Sequence, residues 1–286
     1  MLICDKMKEY TIISLTTYSK RIFNIPTVLD TIFNQTHKPD FVVLNLAYDE
    51  IIPIEVQAYI ESRPIEVNRV PDTKVFKKLI PTLKKYPNDV VISIDDDWLY
   101  PENMVEDFMT IHHQYPDYPI SGNKSVFCCM QCHCGCASLQ KGIFWGDFIN
   151  VIDDDIIFNC ASDDIVYTYI SNMAGHPYIR TDGLYFHNMK AFNDVNGYSE
   201  MISDNCITQS YIYLLDRFGP INCLNSYPNN LYGKSIVNDI INKSNQKFLS
   251  SKQEIESICK SNSYKIGSFI LRPAQFLLNK KTNNKR

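Results

Sequence analysis

Val90–Trp98 reads VVISIDDDW, a run of β-forming residues that stops on three consecutive carboxylates. Upstream, Val75 to Tyr86 has helical spacing, with Val75, Leu79 and Leu83 on one apolar face. Further back, β-rich runs at Ile65 to Val70, Phe41 to Ala47 and Tyr10 to Leu15 alternate with helical stretches at Ile54 to Ser62 and Ile22 to Asn34. Strand and helix in strict alternation predict βαβ units, hence an α/β fold with a mainly parallel central sheet flanked by helices. Such sheets bind ligands at the carboxyl ends of their strands. The loops after Leu15, Ala47, Val70 and Ile94 are therefore where a site is expected. The first carries TTYSKR (16–21), the third PDTK (71–74), and the fourth Asp95, Asp96 and Asp97.

Composition narrows the function classes. The chain has 286 residues, 45% hydrophobic and 21% charged, enough for one large core or two small ones. Lys and Arg total 28 against 32 Asp and Glu, a net charge of −4, which argues against nucleic acid as a partner. No apolar run approaches the roughly 18 residues of a membrane span, and MLICDKMKEY lacks the apolar stretch of an export signal. A cytoplasmic location is expected. From Lys260 onward seven residues are basic and none acidic, so 231–286 is expected to form a basic helical extension to a main domain at 8–230. Within it YKIGSFILRPAQFLLNKK suits either an interfacial helix in peripheral contact with an anionic membrane or a closing helix packed on the domain, and Pro273 interrupts any single helix.

The turn after the first strand has no G-x-G-x-x-G, the chain has no Walker A motif, and it has only ten glycines. Phosphate charge must then be met by something other than a glycine cradle. Asp95 and Asp97 can project to one side of the strand end, where two carboxylates suit a hard divalent cation, Mn2+ or Mg2+. The competing reading is a solvated acidic turn ahead of a helix begun by Pro101 and Glu102. Of ten cysteines, five lie in FCCMQCHCGC (127–136). Cys129 and Cys132 have C-x2-C spacing, which suits zinc, but small thiols packed in a buried strand account for the string as well. In NCASDDIVYTYISNM (159–173), Ser162 reads as a helix N-cap with Asp163 and Asp164 in the first turn and Ile165, Tyr169 and Met173 buried. Those two carboxylates either complement the helix dipole or aim into the cleft. Asp153 to Asp155 read as a solvated turn.

SLTTYSKR (14–21), IFNQTHKPDFVVLNL (32–46), FKKLIPTLKKYPNDVVISIDDDWLYP (76–101) and ASDDIVY (161–167), in that order, resemble the GT-A fold glycosyltransferases that build bacterial polysaccharides, over roughly Tyr10 to Gly183. The resemblance implies a Rossmann-like GT-A fold. It implies sugar transfer from a nucleotide diphosphate donor to a saccharide or lipid-linked acceptor, with a carboxylate base that leans towards inversion. By the same likeness Asp95, Asp96 and Asp97 are the D-x-D element holding metal and ribose, and Thr16, Thr17 and Arg21 line the nucleotide pocket. Lys78 faces the donor, although Lys74, Lys77, Lys78, Lys84 and Lys85 also read as a solvated helix face. Asp164, then Asp163, is the base, His187 is a further metal ligand, and Trp98, Phe144 and Trp145 are candidates for an acceptor floor. Two other classes compete. An aspartate-type phosphoryl-transfer enzyme would need its nucleophile after the first strand, where Leu15 and Thr16 stand. A non-catalytic carbohydrate- or nucleotide-binding module, with a zinc knuckle at Cys128 to Cys136, needs none of this chemistry.

Overall fold

The computed structural model describes residues 8–122, 126–127, 130–133, 136–180, 190–191 and 204–221. The chain divides into two units, Met1–Pro228 and Asn229–Arg286, and every described residue lies in the first. His187, Cys128, Cys129, Cys134 and the basic C-terminal segment lie outside the described residues.

The first half alternates as the sequence predicts: β1 (Thr11–Thr16), α1 (Ile25–Phe33), β2 (Phe41–Ala47), α2 (Ile54–Glu61), β3 (Ile65–Val70), α3 (Ile80–Lys85) and β4 (Val90–Ile94). Then follow β5 (Trp98–Leu99), α4 (Met104–Gln114), β6 (Ile120–Ser121), the short hairpin β7 (Val126–Phe127) and β8 (Met130–Gln131), and β9 (Ala137–Gln140). After these come α5 (Gly142–Trp145), α6 (Asp154–Asn159), α7 (Asp163–Met173), β10 (Ile179–Arg180), β11 (Lys190–Ala191) and α8 (Asp204–Phe218). Seven strands form one sheet in the order β10-β6-β9-β4-β1-β2-β3. All its pairings are parallel except those of β9, which runs antiparallel between β4 and β6. β11 pairs antiparallel with β5 in a separate ribbon.

Both faces of this sheet are covered, so its central strands read as continuous apolar runs rather than alternations. Ile12, Ile13, Leu15, Val90, Val91, Ile92 and Ile94 are all fully buried. On one face Ile12, Val43 and Val91 join a core with Leu79, Leu83, Trp145, Tyr167, Ile170 and Leu214, from the segments carrying α3, α5, α7 and α8. Because side chains alternate, Ser14, Asn45 and Ser93 continue those three columns on the same face, one step nearer the carboxyl edge. Ser14 Oγ donates to Lys78 O at 2.6 Å, and Asn45 Nδ2 donates to Ser14 Oγ at 3.2 Å and to Thr82 Oγ1 at 2.9 Å. This buried polar row fastens the chain around Lys78 to the strand ends.

Two helices depart from the expected lengths, each for the same reason. The helix expected over Val75 to Tyr86 is a 3-10 segment at Lys74–Lys78 followed by α3. Pro81 has no N–H and its ring would clash with the carbonyl four residues back, so it sits in the first turn of a new helix. Pro26 likewise divides Ile22–Asn24, a 3-10 turn, from α1. Asp153 is not part of a solvated loop: it caps α6, its carboxylate accepting from Ile156 N at 3.1 Å, and it pairs with Arg217 of α8. The Arg217 hydrogen bonds pull its carboxyl down to about 2. Phe144 and Trp145 belong to the core at 5% and 1% exposure, so neither offers a ring face to an acceptor, while Trp98 is half-buried.

Gly142 is where α5 meets α3. A Cβ there would lie 2.5 Å from Leu83 O and 2.8 Å from Pro87 Cα, both backbone atoms that cannot swing aside. Gly142→Ala should therefore lower stability by roughly 1–3 kcal/mol. A thermal melt checks this, and an unchanged Tm would show that the contact relaxes without cost.

Candidate active site

The sheet order changes direction at β1, whose parallel neighbours β2 and β4 are reached by crossovers on opposite sides. The crevice outside β1 and β4 therefore opens between the loop at 16–21 and the carboxylates at 95–97. The pleat parity sorts these carboxylates. Asp95 follows Val91 and Ser93 on the α3/α7 face, while Asp96 follows Ile92 and Ile94 on the other.

Asp96 is 5% exposed and fully engaged. Thr17 Oγ1 donates to its Oδ2 at 2.6 Å and Arg21 donates to its Oδ1 at 2.9 Å. The same guanidinium reaches Asp97 at 3.1 Å. Burial pushes the Asp96 carboxyl up, and the hydrogen bond from Thr17 and the charge of Arg21 work against that push. Thr17 and Arg21 thus tie the β1 loop to the β4 loop, whereas Thr16 turns to its own neighbour strand and donates to Asn45 O at 2.7 Å.

Asp95 turns the other way. Lys78 Nζ lies 2.9 Å from Asp95 Oδ1 and 3.0 Å from Asp163 Oδ2, with a side chain 6% exposed. This lysine is not on a solvated face. Burial alone would weaken its hold on its proton, but Asp163, Asp95 and Asp164 outweigh burial and hold the ammonium well above its ordinary range. Lys77 is also buried and pairs with Asp72. Beneath the strand end, Tyr100 OH accepts from Asp95 N at 2.9 Å and donates to Cys136 O at 2.7 Å, fixing where the Asp95 backbone turns.

Asp163 and Asp164 enter at the start of α7, where Ser162 caps as expected, its hydroxyl accepting from Ile165 N. Adjacent positions on a helix diverge by about 100°, so the two carboxylates separate. Asp163 goes to Lys78, and Asp164 Oδ1 meets His133 Nδ1 at 2.9 Å while remaining 39% exposed. His133 itself is buried, with its Nε2 3.2 Å from Ser93 Oγ. Asp95 to Asp97 are marked in the sequence by the strand they end and Asp163 and Asp164 by the helix they open, whereas His133 stands unmarked inside the cysteine string. Only its long-range pairing with β4 and α7 gives it away, and no local spacing encodes that.

Does this cluster fit a divalent cation? Among the described residues no three His, Cys, Asp or Glu side chains converge on a preformed metal position. Mg2+ and Mn2+ do not need one: they commonly take one or two protein carboxylates and complete their shell with water and substrate phosphates. The charge is favourable. Among the described residues, Lys78 pairs with Asp95 and Asp163, Arg21 pairs with Asp96 and Asp97, and His133 meets Asp164. Burial, with Asp97 and Asp163 adding repulsion and Lys78 only partly offsetting it, lifts the Asp95 carboxyl to about 7. A bound cation would relieve that strain, so Asp95 and the 25% exposed Asp97 fit the group.

No protein-family model matches the chain, and no curated protein is similar to it in sequence. Solved structures do share its architecture. A mannosyltransferase from Pyrobaculum calidifontis, in complex with GDP-Man and Mn2+, aligns over 98% of this chain and 89% of its own, at 13% identity and a TM-score of 0.57. S. aureus TarS (1–349), in complex with UDP, aligns over 79% of this chain and 76% of its own, at 12% identity and a TM-score of 0.48. The chain therefore has the α/β, Rossmann-like fold of the mannosyltransferase, with an acidic crevice at its strand ends. Among the described residues no helix is long and apolar enough to cross a membrane.

Proposed function

We propose that the protein is a glycosyltransferase that moves a sugar from a nucleotide diphosphate donor to a hydroxyl of a saccharide or lipid-linked acceptor, with inversion, in the synthesis of cell-surface polysaccharide. The observation that carries this reading is the division of carboxylates within one crevice. Asp95 and Asp97 lie together at the strand end and share Lys78 and Arg21 with Asp163 and Asp96, and Asp164 stands apart from them on a histidine, 39% exposed.

On this reading Asp95 and Asp97 hold Mn2+ or Mg2+, which when bound supplies positive charge to the leaving diphosphate. Thr16, Thr17 and Arg21 frame the nucleotide side, and the Thr17–Asp96–Arg21 knot keeps that loop in place. Lys78 neutralises Asp95 and Asp163 from below and adds a cation near the diphosphate. Asp164 takes the proton of the acceptor hydroxyl as that oxygen bonds to the anomeric carbon. The bond from that carbon to the diphosphate oxygen breaks, and its electron pair leaves with the diphosphate. Attack and departure on opposite faces invert the centre. His187 is kept as a further metal ligand, and the C-terminal basic segment as a peripheral membrane contact.

The test is a thermal-shift screen of nucleoside diphosphates with and without Mn2+. A ligand at 100 times its Kd adds about 2.7 kcal/mol to the native state, which is readily seen. The expected result is a shift that needs both the metal and one particular base. Hydrolysis of a simple phosphomonoester, or no shift with any base, would overturn the assignment.

A further inference from the structure

We propose that His133 is a positioning residue that aims Asp164 at the acceptor and keeps it off Lys78; the proposal rests on the glycosyltransferase reading above. The reason for such a device lies in the crowding of α7's first turn. Asp163 is bound to Lys78, and Asp164 is close enough to act on the same ammonium. A base that swung onto a buried lysine would be neutralised by it and would lose its proton affinity. Something must hold the second carboxylate away.

His133 is held for that task from three directions. Its backbone N–H donates to Thr168 Oγ1 at 2.8 Å, and Thr168 Oγ1 donates in turn to Asp164 O at 2.6 Å. Asp164 and Thr168, four apart, lie on one face of α7, so a single helical stripe grips both the backbone and the ring of His133. Across the ring, Nε2 meets Ser93 Oγ, in β4 two residues before Asp95. Tyr167 and Tyr178 pack against the imidazole edge-on, with ring centroids at 5.0 Å and 5.4 Å. The ring therefore cannot rotate away from Asp164. An ionised carboxylate only accepts, so the 2.9 Å contact places Nδ1–H on Asp164 Oδ1 and fixes one oxygen of the base, while Ser93 Oγ, which donates to Ser138 O at 3.3 Å, lies against Nε2.

Two substitutions separate aiming from packing. His133→Leu keeps bulk and removes the donor, and His133→Asn places an amide N–H near the position of Nδ1. The expected result for His133→Leu is a fall in kcat of about 10- to 100-fold, with the donor–manganese thermal shift unchanged. The acid limb of its kcat/KM profile should move to higher pH, because the ionised base has lost a hydrogen bond. His133→Asn should recover most of both. Equal losses in the two variants with an unmoved acid limb, or wild-type kcat in His133→Leu, would overturn the proposal. A second measurement needs neither variant nor turnover: in the full-length protein with 15N-labelled histidine, Asp164→Asn should move the ring-nitrogen resonances of His133, and unmoved resonances overturn it too. If wild type transfers sugar and His133 fails these tests, only this inference falls. If wild type shows no nucleotide- and metal-dependent shift, the glycosyltransferase reading falls and takes this one with it.

Discussion

Asp164→Asn should lower kcat for transfer by about 10²- to 10⁴-fold, the range a positioned general base contributes, while leaving the donor–manganese thermal shift at its wild-type size. The change is nearly isosteric and spares the architecture around it. Ser162 still caps α7, Asp163 still neutralises Lys78, and the new amide can keep a hydrogen bond to His133. What is lost is the capacity to accept a proton from the acceptor hydroxyl. The contrast is Asp163→Asn, which removes one of the three carboxylate charges acting on Lys78 and should act on stability and donor binding rather than on proton transfer. Comparing the two by single-turnover rate and thermal shift tells the neighbours apart. Full activity in Asp164→Asn would remove the base assignment, and loss of the donor shift in that variant would mean that Asp164 binds donor instead.

The order of the first four strands was readable in the sequence because each is a β-rich run bounded by helical spacing. β1 and β4 are runs of buried residues that end on polar ones, Thr16 and Thr17 in the first and Asp95 to Asp97 in the second, so the strands and the acidic end of the sheet are both local signals. The cap at Ser162 and the pair after it are equally local. What was not readable depends on who meets whom across the sheet. Lys78 looks like any of five lysines on a helix face until Pro81 breaks that helix and the Ser14–Asn45–Thr82 row pins it under Asp95 and Asp163. Phe144 and Trp145 look like exposed rings until α7 and α8 cover them. His133 hides among cysteines because its partners, Ser93 and Asp164, are 40 and 31 residues away along the chain.

The same pinning of Lys78 sets the largest stability effect to be expected. Lys78→Met leaves the half-buried Asp95 and the largely buried Asp163 facing each other without the ammonium between them, and breaking a buried pair by removing one partner costs roughly 3–5 kcal/mol. At roughly 2–4 °C per kcal/mol for a unit of this size, the Tm should fall by about 6–20 °C. The penalty arises from stranded charge rather than from lost packing, because methionine fills a similar volume. Two consequences follow from that cause. Asp95→Asn in the Lys78→Met background should restore a large share of the loss, a coupling that a double-mutant cycle measures directly. Manganese should also raise the Tm of Lys78→Met more than that of wild type, since Asp95 Oδ1 and Asp163 Oδ2 are then both left to a cation in the place of the ammonium. Additive losses in the cycle would show that Lys78 contributes packing and not charge. A manganese shift no larger than in wild type would show that the ammonium and the metal occupy separate places in the crevice.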